Sequence, residues 1–163
     1  MGNLQEKLTS AIMRRESNRH EEARRLLLEL HSECPEDPQV NYQCSWIHDQ
    51  FGLERDAIPF YEKAVQTGLR RDGLKSALPG MGSTCRCAGD YQKSTATLQH
   101  ALTLFPDSLE FKVLLGMPYY NTGEHSKAME FLLNTLADTS SDGGMFRYRR
   151  AIRFYLDRLN QIW

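Results

Sequence analysis

Four cysteines and five histidines are the residues of this chain best suited to hold a metal or attack a substrate, and their spacing argues against both. Cys85 and Cys87 stand two apart. On a helix that spacing sends the two thiols to nearly opposite sides, so they make a poor chelate. No C-x-x-C or H-x-x-H pair occurs, and His20, His31, His48, His100 and His125 fall in different segments, which predicts structural roles for them. Cys34 precedes Pro35 and lacks an activating neighbour. Gly80-Met81-Gly82 is not followed by the lysine or further glycine that a phosphate loop needs. Asp49 and Glu110 are two carboxylates without a nucleophile or a base to work with. The sequence therefore assigns no catalytic, metal-binding or cofactor-binding residue. What remains is recognition chemistry: Tyr42, Trp46, Arg86 and Tyr120, with Asp49 and Met117, an aromatic and arginine set of the composition enriched where proteins hold other proteins.

Such residues act together only if the fold repeats them along one face, and the chain does repeat. Ala11, Asn18, Ala23, Leu27 and Leu30 set a spacing of small and apolar residues. Ser45, Gly52, Ala57, Tyr61 and Ala64 repeat it 34 residues later. Gly82, Gly89, Ser94, Leu98 and Ala101 follow after a step of 37, and Gly116, Gly123, Ala128, Leu132 and Thr135 after another 34. A period near 34 residues means like units stacked in series. Within each unit apolar residues recur every three or four positions, the signature of two helices. Gly52, Gly89 and Gly123, with Asn18 in the first unit, fall where a left-handed residue must end the first helix. The small residues at the crossing let the paired helices approach closely.

The 163 residues, with 40% hydrophobic and 25% charged, make an ordinary folded chain. The formal charge of −1 gives no overall field favouring nucleic acid or an anionic membrane. No apolar run is long enough to span a membrane or to serve as a leader, so a cytoplasmic setting with reduced thiols is expected. Charge is nonetheless uneven. Residues 16–37 hold seven acids against three arginines, and residues 145–163 hold five arginines against Asp157. Solvated faces account for this in most proteins, while head-to-tail association of an acidic start with a basic end is the sharper reading, one that salt would weaken.

The pattern resembles the tetratricopeptide repeat family. The family's small position in the first helix falls on Ala11, Ser45, Gly82 and Gly116, and its second-helix alanine on Ala23, Ala57, Ser94 and Ala128. Its large apolar position falls on Leu27, Tyr61, Leu98 and Leu132; its closing proline falls on Pro35 and Pro106 and is replaced by Leu69 and Ser140. The family's first-helix tryptophan is replaced throughout by Lys7, Asn41, Leu78 and Lys112. The resemblance implies an all-α right-handed α-α superhelix: one domain of four helix-turn-helix repeats, about 4–37, 38–71, 75–108 and 109–142, closed by a capping helix over about 144–162. It also implies a non-enzymatic scaffold whose concave face, lined by first helices, holds a peptide or protein partner.

Mapped by register, that face takes Leu8, Ile12 and Arg15 from the first repeat, Gln39, Tyr42, Trp46 and Asp49 from the second, Ser76, Ser83 and Arg86 from the third, and Glu110, Val113, Met117 and Tyr120 from the fourth. Members of the family that clamp the C-terminal carboxylate of heat-shock chaperones use lysine, asparagine and arginine. The corresponding places hold Leu8, Ile12, Gln43, Ser76 and Gly80, which cannot supply those charge-assisted hydrogen bonds, so calorimetry with such peptides should show no binding.

Three local expectations remain. The polar segment Thr67–Gly73, bounded by glycines, predicts a longer loop that absorbs the three extra residues, with a one-turn helix extension as the competing reading. Pro79 and Pro118 fall inside first helices and predict bending, a late start or a break. The stripe Met145, Tyr148, Ile152, Tyr155, Leu156, Leu159 and Ile162 predicts a terminal helix that packs as a cap. The alternative is a self-associating module that uses this helix as its interface, and so a homo-oligomer. Arginines interleaved with aromatics in this helix also suit nucleic acid, a third reading that the near-neutral charge and the packed stripe weigh against.

Overall fold

The computed structural model describes residues 2–162, with side chains from residue 4. Among these residues there are nine α-helices and no strand: α1 (Gly2–Glu16), α2 (His20–Glu33), α3 (Pro38–Gln50), α4 (Glu54–Gln66), α5 (Arg71–Cys87), α6 (Tyr91–Leu104), α7 (Leu109–Asn121), α8 (His125–Thr139) and α9 (Gly143–Tyr155). They form two compact units that divide after Gly89.

In the first unit α1 through α5 pack in chain order, and α3 also approaches α1 and α5. Asn18 (φ 58°) and Gly52 (φ 66°) occupy the left-handed region where the first helices end, as their spacing predicts. The turn into α3 is fixed by side chains. Asp37 accepts hydrogen bonds from the Gln39 and Val40 amides at 2.9 Å, with Pro38 in the first turn. Fully buried Asn41 donates to the Pro35 and Asp37 carbonyls at 2.8 Å. One core gathers Ala11, Ala23, Leu27, Leu30, Cys44 and Ile47; a second gathers Ala57, Tyr61, Ala64, Ala77, Met81 and Cys85. Burial pushes the Cys44 thiol up to about 12, so it remains a protonated packing residue.

The longer loop predicted at Thr67–Gly73 does not form. The connection is Thr67–Arg70, and the extra residues extend α5 at its start, making it 17 residues long against 13 for α3. Gly73 allows this because the Leu69 side chain folds over the first turn of α5. A Cβ added at Gly73 would lie 2.9 Å from Leu69 Cδ2. The prolines do not break their helices either. α5 runs through buried Pro79 and α7 through buried Pro118, each giving up the amide that would answer the carbonyl four residues earlier.

In the second unit α6 packs on α7, α7 on α8, and α8 on α9. Phe111, Leu115, Tyr119, Ala128 and Ala137 are buried. Gln99 Nε2 donates to Tyr119 Oη at 2.7 Å, and the Tyr119 ring stacks on Phe131. The terminal helix stops at Tyr155, short of the expected 162. Arg158 turns back to donate to the Phe154 carbonyl at 2.6 Å, and Asn160 reaches Ser126 Oγ on α8 at 3.2 Å. These side-chain ties hold the last residues in turns. The apolar stripe is covered less than a cap requires. No residue of α9 is buried, and Tyr148 and Tyr155, placed on that stripe by the sequence, are 65% and 46% exposed. Leu156, at the helix end, is buried.

Candidate functional site

The face expected to bind is carried by α1, α3 and α5 in the first unit and by α7 in the second. On α3 the register sends Tyr42 and Trp46 to one side, four residues apart, and both are half-buried. The Arg15 guanidinium, from α1, lies over the Trp46 ring with 4.1 Å between Cζ and the ring centroid. It also donates to Gln43 Oε1. A cation over an indole is held by the ring quadrupole, so Arg15 fixes the tryptophan's plane. Tyr42 sits 6.4 Å from the Tyr61 ring. Burial pushes the Tyr42 phenol up, opposed by the Arg15 charge and by a hydrogen bond with Ser76 of α5. Residues of three successive first helices thus meet around Tyr42 and Trp46. Arg15 belongs to this constellation, and its register position was the signal for it. Arg15 Nε and Arg86 Nε are both buried without a hydrogen-bond partner. The Arg86 guanidinium makes a 3.5 Å contact with the Cys87 thiol.

Two residues mapped to the face by register are not available there. Leu8 is 4% exposed and belongs to the first core, because the helix turns it inward beside Ala11. Asp49 is committed within the unit. Tyr61 Oη donates to Asp49 Oδ2 at 2.7 Å, and Thr84 Oγ1 lies 2.9 Å from both carboxylate oxygens. Burial raises the Asp49 carboxyl above its ordinary range although both hydroxyls oppose the shift. The same burial, and the carboxylate beside it, push the Tyr61 phenol up. This triad ties α3, α4 and α5 together and explains a glycine in mid-helix. A Cβ at Gly80 would lie 2.4 Å from Tyr61 Oη and 3.0 Å from its Cζ, so α5 passes the phenol only without a side chain there.

In the second unit Met117 and Tyr120 lie three residues apart on α7, and both are exposed, Tyr120 at 66%. The Tyr120 ring leans on His125 at 4.9 Å. Val113, one turn earlier, is half-buried and Glu110 is exposed. The side chains that could have held a metal serve packing instead. His48 is buried with Nδ1 2.7 Å from the Cys44 carbonyl, and His31 meets the Phe60 ring edge-on. Cys85 is buried and Cys87 exposed, the opposed placement expected from their spacing. Among the described residues no group of three histidine, cysteine or acidic side chains converges, and no helix is long and apolar enough to cross a membrane.

A family model described as tetratrico peptide repeat matches residues 38–159. The fold is that of solved α-α superhelices. A structure of MamA matches with a TM-score of 0.75 and 20% identity, over 96% of this chain and 87% of that one. YrrB, described as a TPR protein with an unusual peptide-binding site, matches with a TM-score of 0.66 and 16% identity, over 94% and 87%. A chain of the APC/C hetero-tetramer Cut9–Hcn1 matches with a TM-score of 0.72 and 13% identity, over 90% of this chain and 29% of that one. Among curated proteins, the aspartyl/asparaginyl beta-hydroxylase of Homo sapiens is 25% identical over 148 residues, which are 86% of this chain but 20% of the hydroxylase.

Proposed function

The chain belongs to the tetratricopeptide repeat family, and from that premise we propose that it is a non-enzymatic scaffold whose first-helix face holds an extended segment of a partner protein. Proteins of this family generally mediate protein–protein contacts, and YrrB is described as binding peptide. The observation that carries the reading is the Arg15 guanidinium stacked 4.1 Å over Trp46, beside Tyr42. These side chains are held in place before any partner arrives, which lowers the ordering cost of binding. A half-buried aromatic pair under a guanidinium favours a segment with an apolar side chain to cover the rings and a carboxylate to exchange with Glu16, which lies 3.5 Å from Arg15. Within the first unit Arg86 offers a second cation on α5; in the second unit Met117 and Tyr120 present a patch of their own on α7. The hydroxylase likeness spans a fifth of that enzyme, and its chemistry is not part of this reading. A cytoplasmic setting, with all four cysteines as free thiols, is.

A displayed library of random extended peptides, selected against the full chain, tests this. Selected sequences should pair an acid with an apolar or aromatic residue. Measured by calorimetry, Trp46→Ala should weaken them at least thirtyfold, the loss of roughly 2 kcal/mol that defines a hot spot. Trp46→Phe should recover part of that loss. Selected peptides indifferent to Trp46, Arg15 and Arg86 would reject the site.

A further inference from the structure

The contact among Tyr61, Asp49 and Thr84 can be completed with or without a proton on the carboxyl. Thr84 Oγ1 lies 2.9 Å from both Asp49 oxygens and 2.8 Å from the Gly80 carbonyl, and a hydroxyl has a single proton to give them. With Asp49 ionised, Tyr61 and Thr84 both donate to the carboxylate. With a proton on Oδ1, Asp49 donates to Thr84 Oγ1 and the Thr84 proton turns to the Gly80 carbonyl, while Tyr61 still donates to Oδ2 at 2.7 Å. Only hydroxyl hydrogens rotate between the two states, so the frame of α3, α4 and α5 holds either one. Tyr61 and Thr84 are 1% and 4% exposed, whereas Asp49 is half-buried. Asp49 is therefore the member of the triad that exchanges its proton with water.

The surroundings of the carboxyl favour its neutral form on balance. Burial raises it, the two hydroxyls oppose the shift, Glu54 at the start of α4 adds a like charge, and His48 beside it on α3 opposes. From α5 the Thr84 hydroxyl faces it, and Arg86, two residues on, makes its contact with the Cys87 thiol. Arg15 of α1 is turned over Trp46 and lies 3.5 Å from Glu16. α2 meets α3 where the Cys44 thiol reaches the Leu27 carbonyl.

Tyr42, Trp46 and Asp49 follow one another on α3 at steps of four and three residues, which places them along one side of the helix. A segment lying over Tyr42 and Trp46 takes the remaining water from Asp49, and its acid brings a like charge. Both disfavour the ionised carboxyl. We propose that Asp49 makes partner binding proton-linked: the Trp46 face holds its acid-bearing segment more tightly when Asp49 carries a proton, and binding draws that proton from water. This linkage rests on Trp46 being the centre of the binding face. By reciprocity the bound segment holds the carboxyl above its value in the free chain. Affinity is then weakest at high pH, rises as pH falls from the bound value to the free one, and levels off below.

Calorimetry of the full chain with a peptide from the displayed library, in two buffers of different ionisation enthalpy, reads the proton directly. The parent should bind about tenfold more tightly in the acid range than at neutral pH, with proton uptake between the two. The peptide's own acid, drawn to Arg15, would release a proton instead. Asp49→Asn should keep the acid-range affinity at neutral pH and lose the uptake that Asp49 supplies. Tyr61→Phe removes a donor to the ionised carboxylate, so the pH at which affinity strengthens should rise; this variant decides the matter if Asp49→Asn does not fold. A Trp46-dependent peptide whose affinity is flat with pH, or whose uptake survives Asp49→Asn, overturns the linkage and leaves the face intact. So does a Tyr61→Phe chain with the parent's pH midpoint. A library that yields no Trp46-dependent peptide rejects the face itself, and the linkage with it.

Discussion

The two units solve the same packing problem with different chemistry. In the first, buried polar groups fix the geometry. Asp49 receives Tyr61 and Thr84, Asn41 closes the turn before α3, and His48 meets the Cys44 carbonyl. Among its described residues the exposed large apolar ones are Met13 and Leu28, on α1 and α2. The second unit has fewer such hydrogen-bonded ties, Gln99 to Tyr119 chief among them, and leaves many large apolar side chains exposed: Leu109, Met117 and Tyr120 on α7, Met129, Leu132 and Leu136 on α8, and Phe146, Tyr148, Phe154 and Tyr155 on α9. Hydrogen bonds in a low-dielectric interior specify one arrangement and penalise others, whereas apolar contact tolerates rearrangement. The comparison teaches that the face around Trp46 rests on a frame of specific hydrogen bonds, while the second unit leaves more apolar surface uncovered.

The sharpest way to break this contrast is to add one methyl to each unit. Gly80→Ala drives a Cβ into the Tyr61 phenol, which is 1% exposed and cannot swing aside. Overpacking and the disturbed Asp49 contact should outweigh alanine's helix preference and lower stability by about 2 kcal/mol. Asp49→Ala, which leaves the phenol without its acceptor, should cost about 1–3 kcal/mol. In the second unit a Cβ at Gly116 would meet Ala128 O and Leu132 Cγ at 3.4 Å, which is ordinary contact. Gly116→Ala should therefore be neutral or stabilise by up to about 1 kcal/mol. Urea midpoints with unchanged slopes decide all three, and equal losses at Gly80 and Gly116 would erase the distinction between the units. Smallest of all, Leu136→Gln, at a position 47% exposed, should stay within about 0.5 kcal/mol of the parent.

Asp49 also gives the first unit a pH signature. Its carboxyl is raised above its ordinary value of 3.8, chiefly by burial. The folded chain therefore binds that proton more tightly than the unfolded chain. The contribution favours folding at and below the ordinary value, and it is lost as pH rises through the raised one. Asp49→Asn should remove that slope from a plot of urea midpoint against pH in the acid range. A variant with the parent's slope would show that another group is responsible.

Much of the helical frame was legible because it rests on local rules. Asn18, Gly52, Gly89 and Gly123 all have positive φ, as their place after each first helix required. Composition misled where a tertiary contact overrode it. Gly73 reads as a loop residue until Leu69 is seen folded against it. Asp49 reads as a groove side chain because its partners, Tyr61 and Thr84, lie 12 and 35 residues away and no periodic pattern announces a polar triad. The stripe on α9 was visible, but periodicity reports which residues share a face, not how much of that face a neighbour covers. Pro79 and Pro118 show the same limit: the sequence offers bending, a late start or a break, and cannot register that both rings are buried inside helices that continue through them.

The central claim is that the first helices of the first unit form a binding face organised on Trp46. Amide chemical shifts of the full chain, titrated with a selected peptide, test it most directly. The largest changes should fall on α1, α3 and α5 around Arg15, Tyr42, Trp46 and Ser76, with the Trp46 indole N–H among them. Changes confined to α8 and α9, with the Trp46 indole unmoved, would contradict it.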